Sequence, residues 1–405
     1  MNNTPTKIIK TAVVGLGGRG LYFAKAYSQQ AHPGFDLRAV CDLNEAKLAT
    51  AHKKLGDDIL YFTDFNEMLK SADFDALIVT TNDPHHVEPS LAALAEGKHV
   101  LVEKPLCQTI EDAHQMIAAA RQSPGIFMIG FELRSCPVFV EMKKLLNEGR
   151  IGEVKIGHCF DNVSVGGNYF FHDPHRQKDF YQSLLLQKAT HSLDLLNWFM
   201  NSDPVKVYAE GGLDYYGGGV DMWGNKVDDE RRCRNCPEAH RCPYAVDYRR
   251  FAMDYDAVVE KDDVCVWSNL MNLNDNSLLN ITYANGSRAT FHECHFTSDY
   301  SREFTLTGTN GKMYGYYDNP GRFLIRIEYV HSAGAHTEEW KPQHSGGGHG
   351  GGDPALREEF YQQIIGNKKA GDELNSAYYS TALAICAEQS IDSGAAVSIP
   401  PLSQI

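Results

Sequence analysis

The sequence predicts an α/β chain of two domains: a doubly wound parallel sheet first, then a larger unit of strands and helices. Three observations predict this. A glycine-rich turn, Gly15-Leu16-Gly17-Gly18-Arg19-Gly20, directly follows an apolar, β-branched run. Buried-type strands then alternate with helical stretches up to residue 130. Finally, Glu103-Lys104-Pro105 closes one of those strands, at the sheet edge where ligands gather.

The elements follow in order. Ile8 to Val14 reads as a buried parallel strand running into Gly15. A helix from about Gly20 to Gln30 carries Leu21, Phe23, Ala24 and Tyr27 at helical spacing, and Pro33-Gly34 stops it. Phe35 to Cys41 is the second strand and ends at Asp42. Gly15 permits the tight turn, Gly17 lets the backbone approach a pyrophosphate, and Gly20 lets helix and strand pack closely, with Gly18 and Arg19 as further candidate cofactor contacts. The helix N-terminus, beginning at Arg19 and Gly20, offers free N–H groups and a positive dipole end to phosphates. Asp42 lies 22 residues after Gly20, where a carboxylate hydrogen-bonds the adenosine ribose hydroxyls. A carboxylate there repels a 2′-phosphate, which favours NAD over NADP. Arg38 lies inside the strand and is a poor ligand for such a phosphate.

The pattern continues through the strand Asp75–Thr81, the loop Asn82–His86, the helix Val87–Glu96 and the strand His99–Glu103. A helix over Gln108–Arg121 and a further strand over Ile126–Gly130 follow, after which Glu132-Leu133-Arg134 leaves the sheet. Thr81, Asn82, His86, Glu103 and Lys104 all fall at carboxyl ends of strands and are candidate cofactor contacts.

The whole chain sets bounds. Its 405 residues suit two domains, divided here into 1–132 and 133–405. The apolar share of 43% and charged share of 22% are those of a globular protein. A net charge of −14 argues against nucleic-acid and anionic-membrane partners. No segment has the length of a membrane span or of a signal-peptide core, so a cytoplasmic protein is expected. Ten cysteines in that setting read as free thiols or metal ligands rather than disulfides.

Together G-L-G-G-R-G, T-N-D-P-H-H, G-K-H-V-L-V-E-K-P and G-F-E-L-R, in this order, resemble the Gfo/Idh/MocA oxidoreductases. The resemblance covers nearly the whole chain. It implies an N-terminal Rossmann domain and a C-terminal α+β domain whose large, mostly antiparallel open sheet faces the cofactor. That sheet often forms the oligomer interface, so a homo-oligomer, dimer or tetramer, is expected. NAD(P)-linked chemistry on a sugar, glycoside or cyclitol is implied as well. Lys104 matches the family lysine that contacts substrate and nicotinamide ribose, Glu103 matches a glutamate that touches the cofactor, and Pro105 is expected to be cis or kinked.

The segment Gln187-Lys188-Ala189-Thr190-His191-Ser192-Leu193-Asp194 resembles the catalytic helix of the family. The family usually has an aspartate four residues before the histidine, where this chain has Gln187. Its neighbour Lys188 suggests a more cationic site. Helical spacing puts Lys188, His191 and Asp194 on one face. Oxidising a carbinol needs its hydroxyl proton removed, and histidine has the side chain suited to that at neutral pH. His191 is therefore assigned as acid/base, with Lys104 and Lys188 as alkoxide stabilisers or alternative bases. Arg134, Asp194 and the loop carrying His172 and Arg176 are candidate substrate contacts; a solvated polar loop is an equal alternative for His172 and Arg176.

A cysteine-rich insertion near 228–265 holds Cys233, Cys236 and Cys242. A C-x2-C knuckle with a third cysteine six residues on can surround a tetrahedral metal. His240 is close but awkwardly spaced from Cys242. A structural zinc on Cys233, Cys236, Cys242 and Cys265 is expected, with unliganded thiols as the alternative and an iron–sulfur cluster a weaker one. The later position of Cys265 follows the subgroup of the family with a similar C-P-x4-C-P-Y segment.

Strands are predicted over 155–165, 205–211, 264–271, 277–284, 288–296, 303–307 and 312–317, with a hairpin turn at Gly308-Thr309-Asn310-Gly311. A glycine-rich loop around His349 precedes Asp353, read as the cap of a helix ending at Gly366. The last helix is expected over 375–393. Three functions are compatible: an NAD-dependent sugar or cyclitol dehydrogenase, a glycoside-cleaving enzyme that uses NAD transiently, and a non-catalytic NAD-binding sensor.

Overall fold

The computed structural model describes residues 7–29, 32–164, 170–247, 262–318, 321–329, 336–343, 346, 348–367 and 372–402. Gln30, Val165, residues 248–261 of the predicted insertion, and residues 345 and 347 of the glycine-rich loop lie outside these.

The first sheet is built from β1 (Ile9–Val14), β2 (Phe35–Cys41), β3 (Leu60–Phe62), β4 (Ala76–Val79), β5 (His99–Val102) and β6 (Phe127–Ile129). All neighbours are parallel and the order is β3-β2-β1-β4-β5-β6. This is the order of a dinucleotide-binding sheet, whose switch point lies between β1 and β4. The strands read as continuous apolar runs because both faces are covered. Each buried Val, Ile or Leu contributes about 1.5–3 kcal/mol by leaving water.

Helices α1 (Gly18–Ser28), α2 (Glu45–Leu55), α3 (Phe65–Ser71), α4 (Val87–Ala95) and α5 (Ile110–Gln122) make the crossovers. Helices α2 and α3 have clear local causes: Asn44 caps the first through Ala46 and Lys47, and Asp64 caps the second through Glu67. The third strand, only three residues long, is too short for its pattern to stand out in the sequence.

The second sheet has nine strands, in the order β14-β13-β12-β11-β7-β10-β9-β8-β15. They are β7 (Val154–Val163), β8 (Pro204–Gly212), β9 (Asn276–Tyr283), β10 (Arg288–Cys294), β11 (Tyr300–Gly308), β12 (Gly311–Asp318), β13 (Phe323–Tyr329), β14 (Thr337–Trp340) and β15 (Val397–Ser398). All neighbours are antiparallel except β7 and β10. The expected turn at 308–311 joins β11 to β12. The strand expected over 264–271 does not form: Val264 makes one isolated bridge to Arg232, and turns follow. Its apolar run is buried by packing against Phe171, Tyr216 and Tyr181 instead of by sheet pairing.

Helices α6 (Pro137–Asn147), α7 (Lys178–Tyr181), α8 (Thr190–Met200), α9 (Gly352–Gly366) and α10 (Asp372–Ser393) complete the chain. Two of them tie the sheets together. Leu356, Phe360, Tyr361 and Ile364 of α9 join the core formed by Ile9, Val13, Phe35 and Ile78 on the first sheet. Helix α10 packs on α5, α8 and β8. A late segment thus completes the first layer, which a division at residue 132 does not convey. Among the described residues no helix is long and apolar enough to cross a membrane.

Candidate active site

The glycine turn has the shape the sequence requires. Gly15 has φ +87°, and a Cβ there would lie 2.5 Å from the Thr81 nitrogen. A Cβ on Gly20 would fall 1.8 Å from the Gly15 oxygen, whereas around Gly17 nothing lies within 4 Å. The tight positions are filled by backbone and the one at Gly17 is open. Thr80 braces the turn by donating from Oγ1 to the Gly15 oxygen at 2.6 Å. Gly17 caps α1 with no side chain bonded to its N–H groups, leaving those donors and the dipole for an anion. Asp42 accepts from Leu16 at 2.6 Å and from Asn44 at 2.8 Å, which fixes its carboxylate at the end of β2. Lys47 also reaches it, at 3.6 Å. Arg38 turns outward to pair with Asp36, as its place in the strand suggests. These residues fit a dinucleotide. Gly20→Ala is expected to lose NAD binding by more than tenfold, read by fluorescence titration with NADH, because the clash is with backbone.

The remaining strand ends divide into two groups. Thr81 is half-buried and Asn82 exposed, just after β4. His86 does not face the cleft: its two ring nitrogens lie 2.7 Å from the Pro105 oxygen and 3.1 Å from the Thr81 oxygen, and the ring is buried. It braces the loop that carries the cis Lys104–Pro105 bond. Glu103 accepts from Arg19 at 2.7 Å, so the fifth residue of the glycine turn is tied to the E-K-P segment. Arg19 also reaches Asp353 at 2.6 Å and Glu132 at 3.7 Å.

Lys104 donates to the Gln187 backbone oxygen at 2.5 Å. Burial pushes its amine down, against the pull of Asp83, Glu103 and Glu132. Asp83, buried nearby, is pushed up to about 7 by desolvation.

The catalytic segment departs from regular helix. Leu185–Ala189 is a π-helical turn, and α8 begins only at Thr190. Such wide turns gather at functional sites. Lys188 and His191 turn to different partners. Lys188 lies 3.1 Å from Asp161 on β7, in a buried group where Ser192 donates to the same carboxylate at 2.5 Å and Arg302 stands 3.5 Å away. His191 points to Glu132, with Nε2 at 3.4 Å from Oε1. The carboxylate missing at Gln187 is thus supplied from a different element. The other ring nitrogen, Nδ1, is buried without a hydrogen-bond partner among the described residues. Desolvation and the cations Lys104, Arg302 and Lys188, together with His349, hold His191 well below the usual histidine range.

The substrate contacts expected from sequence are largely engaged elsewhere. Arg134 grips Asp194 with two bonds of 2.6 and 2.8 Å and lies over Trp198, so the pair clamps the exit of the first sheet to α8. His172 is buried with its ring nitrogens 2.6 Å from the Val264 and Tyr244 oxygens. Arg176 is buried and binds Asp262 at 2.6 Å. His172 and Arg176 belong to the cysteine-rich region rather than to the cleft. Their neighbours at 262–265 are distant in sequence, so the histidine-rich loop carries no local sign of where it packs.

Cys233, Cys236, Cys242 and Cys265 line one pocket together with His172, Tyr244 and Trp267. They come from two stretches of chain that the 232–264 bridge draws together. All four are free thiols. Backbone N–H groups point at three of the sulfurs: Val246 at Cys233, Tyr244 and Ala245 at Cys242, and Trp267 at Cys265. Among the described residues, the metal-capable group whose ligand atoms all lie within 4.8 Å of one another is instead Glu132, His349 and Asp353. His240 bonds its own turn at Pro237.

Sequence reasoning missed Glu132, His349, Asp353, Asp161, Arg302 and Tyr300. Asp353 is not a cap: Gly351 occupies that place, and the Asp353 carboxylate holds Arg19 and His349. Asp161 carried a visible signal, since it stands with Cys159 and Val163 on the inward register of β7. Tyr300 has none in sequence. Although burial pushes its phenol up, Lys188 and Arg302 outweigh this and bring it to about 8.

The comparisons agree with this architecture. YteT of Bacillus subtilis (strain 168), which carries an oxidoreductase name, is 25% identical over 377 residues, covering 86% of this chain and 87% of its own. An inositol 2-dehydrogenase of Klebsiella pneumoniae is 29% identical over 197 residues, 48% of this chain and 55% of that one. A levoglucosan dehydrogenase solved with NADH and levoglucosan superposes with a TM-score of 0.73 at 18% identity, over 98% of this chain and 100% of that one, a likeness of fold. The oxidoreductase-family models for the NAD-binding Rossmann fold and for the C-terminal α/β domain match residues 9–131 and 143–399. This chain therefore belongs to the Gfo/Idh/MocA family of NAD-binding oxidoreductases.

Proposed function

We propose that this protein oxidises a secondary hydroxyl of a sugar or cyclitol, with His191 as the base. The observation that carries the reading is the His191 ring: Nδ1 buried and unpartnered, Nε2 against Glu132. The Nε2 proton directed at the carboxylate leaves the Nδ1 lone pair to take the hydroxyl proton. Lys104, whose charge acts on the His191 ring, stabilises the developing alkoxide. Bound NAD supplies the hydride acceptor. Asp42, with Arg38 turned away, supports NAD over NADP.

The test is NADH formation with myo-inositol, scyllo-inositol, levoglucosan and 1,5-anhydro-D-glucitol. Hydride transfer from any of them supports the reading; NAD bound with no transfer from any polyol or glycoside leaves a sensor. The pH profile has a definite sign. Since the His191 pKa is depressed, its neutral form persists below 6.5, so the acidic limb of kcat/KM is expected below that value.

Tyr300 favours a second reading, in which a ketone formed transiently acidifies the neighbouring C–H and a leaving group departs. With its phenol near 8, the Tyr300 phenolate is suited to take that proton and become the neutral phenol. Cleavage of p-nitrophenyl glycosides that requires NAD and accumulates no NADH would select it.

We also propose a structural zinc held by Cys233, Cys236, Cys242 and Cys265. The shared pocket and the N–H donors aimed at three sulfurs support it, because such donors stabilise metal-bound thiolate. With both ring nitrogens of His172 on carbonyls, the fourth ligand falls to Cys265. Metal analysis is expected to find one zinc per chain, and removing it should lower Tm; a metal-free protein with an unchanged Tm contradicts this. Exposed Phe160, Leu278, Ile156 and Val205 on the open sheet support an oligomer through that face, tested by sedimentation.

A further inference from the structure

We propose that Glu132 and His349 form a proton relay that carries the proton taken up by His191 out of the buried cleft to solvent. This rests on the reading of His191 as the base. One atom is common to the three residues: Oε1 of Glu132 lies 3.4 Å from Nε2 of His191 and 3.3 Å from Nε2 of His349. Exposure rises along the path. His191 is 5% exposed and Glu132 2%, whereas the His349 side chain is 40% exposed.

The chemistry requires such an outlet. A secondary alcohol and NAD⁺ give a ketone, NADH and one H⁺, so each hydride transferred leaves one proton behind. The O–H bond breaks and an N–H bond forms on His191. An imidazolium there is disfavoured by burial and by Lys104, Arg302 and Lys188, so it must discharge. Nε2 of His191 can give its proton to Oε1 of Glu132 as Nδ1 gains one. The same oxygen can pass a proton to Nε2 of His349 once that ring has lost its own to water. In reduction every transfer reverses.

The surroundings suit these roles. Burial raises Glu132, against His349 and Arg19, so it can hold a proton briefly. Burial lowers His349, but Glu132 and Asp353 outweigh this and raise it, while Arg19 opposes them. The two histidines are thus pushed apart around a shared carboxylate, the pattern of an acid–base pair. Asp353 holds Nδ1 of His349 at 3.0 Å. His349 has φ +51°, a left-handed conformation that costs a non-glycine residue about 1–3 kcal/mol and is retained beside Gly350 and Gly351. Arg19 already serves as the cation of the Glu132–His349–Asp353 group, bonded to Asp353 at 2.6 Å. That resident charge favours a relay over a metal site.

His349→Ala and Glu132→Gln are the tests, on NAD-bound protein. With a polyol that forms NADH, His349→Ala is expected to lower steady-state turnover about tenfold or more. Added imidazole should restore it, and the carbinol deuterium isotope effect should shrink as proton release becomes limiting. Unchanged turnover, or a loss that imidazole does not restore, overturns the relay. Histidine side-chain NMR gives a second readout that needs no substrate. His349 should titrate above 6.5 and His191 below it, and Glu132→Gln should move both curves. If neither curve moves, the relay is wrong. If no polyol reacts but both curves move, the dehydrogenase reading has failed and the coupled pair stands.

Discussion

His191→Ala is expected to lower kcat by about 10²–10⁴-fold, the usual contribution of a placed general base, while NAD affinity changes less than twofold. The contacts of the His191 ring are with Glu132, Phe131 and His349, outside the glycine turn. Binding and chemistry should therefore separate, with cofactor titration unchanged and turnover lost. Removing the ring also removes a buried group that prefers to be neutral. That costs packing but leaves no unpaired charge, so the variant should fold. Activity within threefold of the wild type would transfer the base role to Lys104 or Tyr300.

Asp161→Ala is expected to destabilise the protein by about 3–5 kcal/mol, because it strands two buried cations. Lys188 lies 3.1 Å from this carboxylate and Arg302 3.5 Å, both almost without exposure, and Ser192 also donates to it. Denaturant unfolding measures the loss. Adding Lys188→Met should recover part of it, since one stranded charge is then gone. A loss below about 1 kcal/mol would mean that the pair is solvated and that Lys188 is free to act as an alternative base. Lys188 and Arg302 lower the Tyr300 phenol and Asp161 raises it, so Asp161→Ala should lower it further.

The first sheet was legible because each strand announces itself: an apolar run, a glycine or proline break, and a functional residue at its carboxyl end. Gly15, Gly17, Gly20, Asp42 and Lys104 stand just beyond the carboxyl ends of its strands. The second sheet was legible where β7 to β12 alternate. It was not legible at 264–271, where burial comes from aromatic packing, nor over β13 to β15.

The site was only half legible, for one physical reason. His191 is paired by Glu132, from the turn after β6, and that carboxylate is shared by His349, from a loop more than two hundred residues on. Spacing along one helix cannot show contacts made between elements. The π turn at Leu185–Ala189 adds to this, because it breaks the period on which the shared face of Lys188 and His191 depends.

The most direct test of the account follows the hydride and the base together. NAD-bound wild type and His191→Ala are mixed with polyols deuterated at their carbinol carbons, and the cofactor is recovered after an alkaline quench for mass spectrometry. Deuterium is expected on the nicotinamide ring from at least one polyol with the wild type, with labelling at least about 10²-fold slower with the variant. Unlabelled cofactor with every polyol, or equal labelling by both proteins, would contradict it.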